Sequence, residues 1–226
     1  MADKLGKRLY IIAGHYGSGK TNIAVNLAIK LKEAGSKVKI ADLDIVNPYF
    51  RTKDSADVLK ASDIELISPA FANTNVDLPA LPQEMYSIVQ LHDFKAVIDV
   101  GGDDRGAFAL GRYTPYILEE NDYEMCFVVN FYRPLTQCAE DALVVMREIE
   151  AACKIPFTCI INNSNLGAHT DASTVKSTYK EAERLSEMSS LPILFTSAVS
   201  DICKEVNDKE MLHLELQEKY YDVKEN

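Results

Sequence analysis

The stretch "LYIIAGHYGSGKT", residues 9–21, decides how this chain of 226 residues is to be read. An apolar run of strand length gives way to three glycines, a lysine and a threonine within eight positions, and an amphipathic segment follows. The eight fit the spacing G-x-x-x-x-G-K-[ST], with Gly14, Gly19, Lys20 and Thr21 in the fixed places. From average residue usage the pattern arises by chance in a chain this long on the order of once in a hundred. Glycines let the backbone N–H groups of Gly14, His15, Tyr16, Gly17, Ser18 and Gly19 turn inward on phosphate oxygens. The helix that follows brings its positive end to the same point. Lys20 is spaced to reach the β- and γ-phosphates of a nucleotide, and the Thr21 hydroxyl to ligate Mg²⁺. A turn loosened by glycine for no ligand is the alternative; a strand before and a helix after are the context that a phosphate cradle requires.

Outward from this loop, strand-length apolar runs alternate with amphipathic stretches. The strand candidates are 8–14, 37–44, 64–68, 95–101, 125–131, 157–163 and 191–197. Several are almost continuously hydrophobic, as strands buried on both faces of a parallel sheet must be. Between them, "TNIAVNLAIKLKEAG" sets Ile23, Leu27 and Leu31 on one helical face and stops at Gly35. "TQCAEDALVVMREIEAAC" follows Pro134 with Thr136 as expected N-cap, and a further helix starts at Asp171. The tail from Asp208 reads as helical and then frays, and 69–82 reads as a proline-bearing loop. The expectation is one α/β domain over 1–226, with a mostly parallel sheet of about seven strands and helices on both faces.

Composition narrows the partners. The net charge of −10 repels polyanions, which disfavours nucleic acid and anionic membrane surfaces. No apolar stretch approaches the roughly 20 residues that span a bilayer, and the N-terminal apolar run is too short for a signal peptide, so a cytoplasmic location is expected. The five cysteines (Cys126, Cys138, Cys153, Cys159 and Cys203) form no C-x-x-C pair, which argues for reduced thiols over a zinc or iron–sulfur centre. His92, His169 and His213 lack ligand spacing as well.

A phosphate loop needs its Mg²⁺ held from a second strand, and "FKAVIDVGGDDRG" offers Asp99 at the end of an apolar run, followed by Gly101 and Gly102. Another strand ends "ADLDIVNPYFR", where Asp42 and Asp44 fall on one face because side chains alternate along a strand. Such a pair can serve a metal shell and orient a water, or can simply end a strand in an Asx turn before Pro48.

Taken in order, "GHYGSGKT", "ADLDIVNP", "VIDVGGD" and "CIINN" resemble the MinD/ParA class of P-loop ATPases, the deviant Walker A group with its CobQ/CobB relatives. The resemblance implies ATP and Mg²⁺ as ligands, slow hydrolysis as a nucleotide switch, a client protein and a homodimer. It implies that Asp42 belongs to the Mg²⁺ shell with Thr21 and Asp99, that Asp44 activates water, and that Gly102 lies in the segment that senses the γ-phosphate. Asn162 would contact adenine, with Asn163 as the neighbouring candidate. Many members carry a second lysine after the first loop glycine, used across the dimer; here that place is His15, a residue type largely neutral at pH 7. Arg105 is the candidate replacement for the missing charge.

Two other classes fit the same loop. One is a small-molecule kinase or ATP-dependent ligase on a dethiobiotin-synthetase-like fold, with Arg51, Arg133, Tyr49 and Tyr132 lining an acceptor pocket at strand ends. The other is an adaptor that binds nucleotide without turnover. The guanine-reading pattern N-K-x-D is absent after the 157–163 run, so adenine is the expected base.

Overall fold

The structure is a computed structural model that describes residues 5–44, 52–68, 84–102, 104–208 and 210–216. The loop expected at 69–82, Tyr49, Arg51, the side chain of Arg105 and the tail beyond 216 lie outside the described residues. In chain order the elements are β1 (Leu9–Ala13), α1 (Lys20–Glu33), β2 (Val38–Leu43), α2 (Ala56–Ala61), β3 (Glu65–Ile67), α3 (Met85–Gln90), β4 (Lys95–Val100), α4 (Asp104–Gly111), α5 (Thr114–Glu120) and β5 (Tyr123–Val129). They continue with α6 (Ala139–Cys153), β6 (Cys159–Asn162), α7 (Ala172–Lys176), α8 (Tyr179–Ser189), β7 (Ile193–Val199), α9 (Ser200–Val206) and β8 (Met211–Leu214).

The strands form one sheet in the order β3-β2-β4-β1-β5-β6-β7-β8. Every neighbouring pair is parallel. Period-two alternation in the apolar runs divides the core. Leu9, Ile11 and Ala13 of β1 pack on one face with Phe127, Ile98, Met85, Leu110, Ile117 and Met146, beneath α3, α4, α5 and α6. Tyr10 and Ile12 pack on the other with Ile23, Leu27 and Leu31, the face of α1 read from the sequence. A strand so placed shows no water-facing side, and all five residues of β1 are buried.

All seven expected strands are present, with ends moved by one or two residues. The eighth corrects the reading of the tail: Met211–Leu214 is strand, paired in parallel with β7 from Thr196↔Met211 to Val199↔Leu214. The open edge of β7 supplies backbone partners that a free helix could not match, and Asn26 of α1 fixes the exit by donating to Glu215 O and accepting from Glu215 N. The cap of α6 is also corrected. Thr136 lies in a short 3₁₀ turn (Pro134–Thr136) with its hydroxyl on Asn130 O, and α6 starts at Ala139, whose N–H is taken by Glu181. Asp171 does cap α7, accepting from Thr174 N. Gly35, with φ of 86°, follows α1.

β1 sits at the point where the strand order reverses. The chain runs from β1 outward to β2 and β3, returns through β4, then crosses to β5 on the other side. The crevice beyond the carboxyl ends of such strands is where open α/β sheets bind ligands, and the loop 14–19 lies there.

Candidate nucleotide site

The loop is built by close approach. Gly19, with φ of 88°, adopts a left-handed backbone that only glycine takes without strain, and a Cβ there would collide with Asn163 Nδ2. Gly102, after β4, leaves no room for a side chain either: a Cβ would lie 2.7 Å from Lys20 Nζ and 2.8 Å from Tyr16 N. The expected sensing segment thus touches both the loop and its lysine. Gly14 faces the Val128 carbonyl of β5 just as tightly. Lys20 is buried, with Nζ donating to His15 O at 3.2 Å, while Tyr16 stands out in solvent at 60% exposure.

Helix α1 then starts without a side-chain cap on its Gly19 end and with no acidic residue in its first turn. No side chain therefore competes for its first turn, and the helix dipole there favours a negative ligand. Inside the loop the Ser18 hydroxyl is buried without a partner among the described residues.

Register brings the carboxylates together. Asp42 pairs with Asp99 across β2 and β4, and Ile12 of β1 lies on the other side of Asp99. Asp42 accepts from Asp44 N at 2.9 Å, the turn-type bond that the sequence allowed, and both acids are buried. Asp99 Oδ2 accepts two hydroxyls, from Thr21 at 2.7 Å and from Thr52 at 2.8 Å. Burial pushes the Asp99 pKa up to about 6, although the Lys20 charge and the Thr21 and Thr52 hydrogen bonds pull the other way, and Asp44 adds to the rise. Among the described residues its Oδ1, buried, has no partner.

That orphaned oxygen, beside the Thr21 hydroxyl, fits an ion delivered with phosphate. Among the described residues no three His, Cys, Asp or Glu side chains converge to hold a metal alone. Mg²⁺ at nucleotide sites takes one or two protein oxygens and completes its shell with phosphate and water.

Asn162 is fully buried, donating to Thr178 Oγ1 and accepting from Ser164 N and Oγ, so its amide serves the end of β6 rather than an open crevice. Asn163 lies against the loop instead: it donates to Ser18 O at 2.7 Å and accepts from Ser197 Oγ at 2.8 Å. Sequence reasoning missed two contributors. Thr52 carries no motif, and nothing local marks it. Arg133, read as an acceptor-pocket candidate, reaches back to donate from Nε to Gly17 O at 2.9 Å. Tyr132, its companion, gives its hydroxyl to Thr174 O.

The sheet, the loop and the acids define a P-loop NTPase fold. Solved structures agree at that level. FtsY of Thermotoga maritima superimposes with a TM-score of 0.60 at 14% identity, covering 85% of this chain and 62% of that one. FtsY of Mycoplasma mycoides gives 0.56 at 18% identity, over 84% and 59%. The signal recognition particle 54 kDa protein of Aeropyrum pernix, in complex with GDP, gives 0.54 at 15%, over 84% and 41%. The chain therefore spans less than two thirds of the length of these proteins, and at such identities the likeness is one of fold. No family model matches the chain, and no curated protein does. Among the described residues no helix is long and apolar enough to cross a membrane.

Proposed function

We propose that this chain is a cytoplasmic Mg²⁺-dependent ATP-binding switch of the MinD/ParA type that hydrolyses ATP slowly, changes its contacts with a protein client and pairs with a second copy of itself. The observation that carries the reading is the Asp99 Oδ1 atom, buried without a partner among the described residues, next to Thr21 at the start of α1, which no side chain caps. A buried acceptor left bare costs about 1–3 kcal/mol, so its retention points to a ligand that completes it.

In the proposed reaction the amides of 14–19 hold the phosphate tail and Lys20 neutralises its β- and γ-oxygens. Thr21, Asp42 and Asp99 would hold the metal. Magnesium, when bound, withdraws charge from the phosphates in the transition state. Asp44 orients the attacking water, and Gly102, packed on Lys20 Nζ, reports whether a γ-phosphate is present. ATP is favoured over the GDP-type ligand of the Aeropyrum structure because the run after β6 reads Asn163, Ser164, Asn165 and Leu166, without the lysine and aspartate that read guanine.

Calorimetric titration with MgATP and MgGTP, together with phosphate release, tests this. Wild type should bind MgATP more tightly than MgGTP and release phosphate slowly; Lys20→Ala should lose both, and Asp44→Asn should bind without turnover. Absence of binding by either nucleotide overturns the reading, and wild-type turnover in Asp44→Asn removes the role given to Asp44.

A further inference from the structure

Two side chains grip successive peptide groups of the loop from outside. Arg133, on the segment after β5, donates to Gly17 O, and Asn163, after β6, donates to Ser18 O at 2.7 Å. In a trans peptide the C=O and the following N–H point in opposite directions. Holding the Gly17 and Ser18 carbonyls outward therefore turns the Ser18 and Gly19 amides inward. The Ser18 amide does cross the loop, toward His15 O at 3.2 Å, which is long for a backbone bond and open to exchange for an anion.

The two grips share one foundation. Asn130, fully buried at the end of β5, accepts from Tyr132 N and Asn165 N, donates to Asn165 O, and takes Arg133 N and the Thr136 hydroxyl on its own carbonyl. Phe131 N adds a bond to Ser164 Oγ. The segments bearing Arg133 and Asn163 are thus tied to each other before either meets the loop. The guanidinium passes over Gly17, its Nε 3.4 Å from where a Cβ would stand, an ordinary contact distance, and it is the φ of 77° that favours glycine there.

We propose that Arg133 is a positioning residue for the phosphate loop: from outside, paired with Asn163, it fixes the Gly17–Ser18 and Ser18–Gly19 peptides so that their amides meet a bound polyphosphate. A charged donor on the Gly17 carbonyl polarises the peptide and strengthens the Ser18 N–H as a donor. This rests on the nucleotide-binding reading above and adds to it a charge that acts within one chain, through the backbone. Because Arg133 holds the loop and not the γ-phosphate, it supports ATP, ADP and the transition state alike.

The test is steady-state ATP hydrolysis with calorimetry of MgADP on wild type, Arg133→Met and Arg133→Lys. Arg133→Met should raise KM for ATP and Kd for ADP by about tenfold each, equivalent to ~1.4 kcal/mol, with kcat within about twofold, the signature of uniform binding. Arg133→Lys, which keeps a charge but not the planar fork, should recover part of the loss. The melting temperature without nucleotide should stay close to wild type, since Arg133 is exposed. Unchanged KM and Kd overturn the inference, as does a fall in kcat at constant KM, which would make Arg133 a transition-state cation. Wild-type binding with Arg133→Met indistinguishable from it sinks this inference alone; a wild type that binds no nucleotide sinks the functional reading as well.

Discussion

Thr52 donates its hydroxyl to Asp99 Oδ2 over 2.8 Å, sharing that oxygen with Thr21, while the other oxygen has no partner among the described residues. The bond joins the segment after β2 to the end of β4, and Thr52 is fully buried. Replacing Thr52 with valine keeps the shape and removes one of the donors, so stability should fall by about 1–2 kcal/mol. Loss of that donor should also move the Asp99 pKa further upward. Thermal melting with and without MgATP checks both effects, because in the role proposed for Asp99 readier protonation would weaken the stabilisation that MgATP brings.

Asp99→Asn separates chemistry from folding. An amide keeps an acceptor for Thr21 and Thr52 but has no charge to bury, and desolvation is what raises the Asp99 pKa most. Mg²⁺-dependent hydrolysis should fall roughly a hundredfold or more, while the melting temperature of the free protein holds or rises. Phosphate-release assays and calorimetric scans decide it; a large drop in melting temperature would contradict the desolvation argument.

Gly19→Ala should damage fold and site together. The φ of 88° costs a non-glycine residue about 1–2 kcal/mol, and the new methyl must also push Asn163 Nδ2 off the Ser18 carbonyl. A loss of about 2 kcal/mol corresponds to roughly 4–8 °C in melting temperature for a chain of this size, with nucleotide binding abolished. A variant that melts like wild type would show that the loop relaxes freely.

At the opposite end of β1, Arg8 is buried against Glu120 in a two-pronged ion pair. Glu120→Gln leaves the guanidinium underground without its counter-charge and should cost about 3–5 kcal/mol. Urea unfolding measures that loss. Nucleotide affinity at the far end should not change.

Cys126 and Cys159 face each other across β5 and β6 with their sulfurs 3.4 Å apart, both buried. The neighbouring Cys159 thiol and burial push the Cys126 thiol well above its ordinary range. Alkylation of the native protein at neutral pH followed by mass spectrometry should therefore mark Cys138, the one partly exposed thiol, and spare the other four until the chain unfolds.

Much of the site is contiguous in the chain and could be read there. The spacing from Gly14 to Thr21, the apolar run before it and the face of Ile23, Leu27 and Leu31 after it depend on local backbone geometry and periodicity, which neighbouring residues alone dictate. The same holds for the Asp42–Asp44 alternation and for Asp99 before its glycines. Adjacent asparagines gave no such guidance. Asn162 and Asn163 both close a strand, and which of them meets the loop follows from the twist and pairing of β6, where Asn162 turns into the Thr178 and Ser164 network and Asn163 turns out to Ser18.

Sequence by itself determined a parallel α/β sheet with a glycine loop of phosphate-cradle spacing at one strand end, because tight turns and amphipathic faces are written in residues a few places apart. Only the tertiary structure decided that Thr52 would share Asp99 with Thr21, that Arg133 would close on Gly17 from 116 positions away, and that 211–214 would be strand. Those contacts exist because the strand order sets β4 between β2 and β1, puts β5 beside β1, and lets β8 pair with the edge of β7 that β6 does not use. No local propensity encodes which strand ends become neighbours; burial of both sheet faces does.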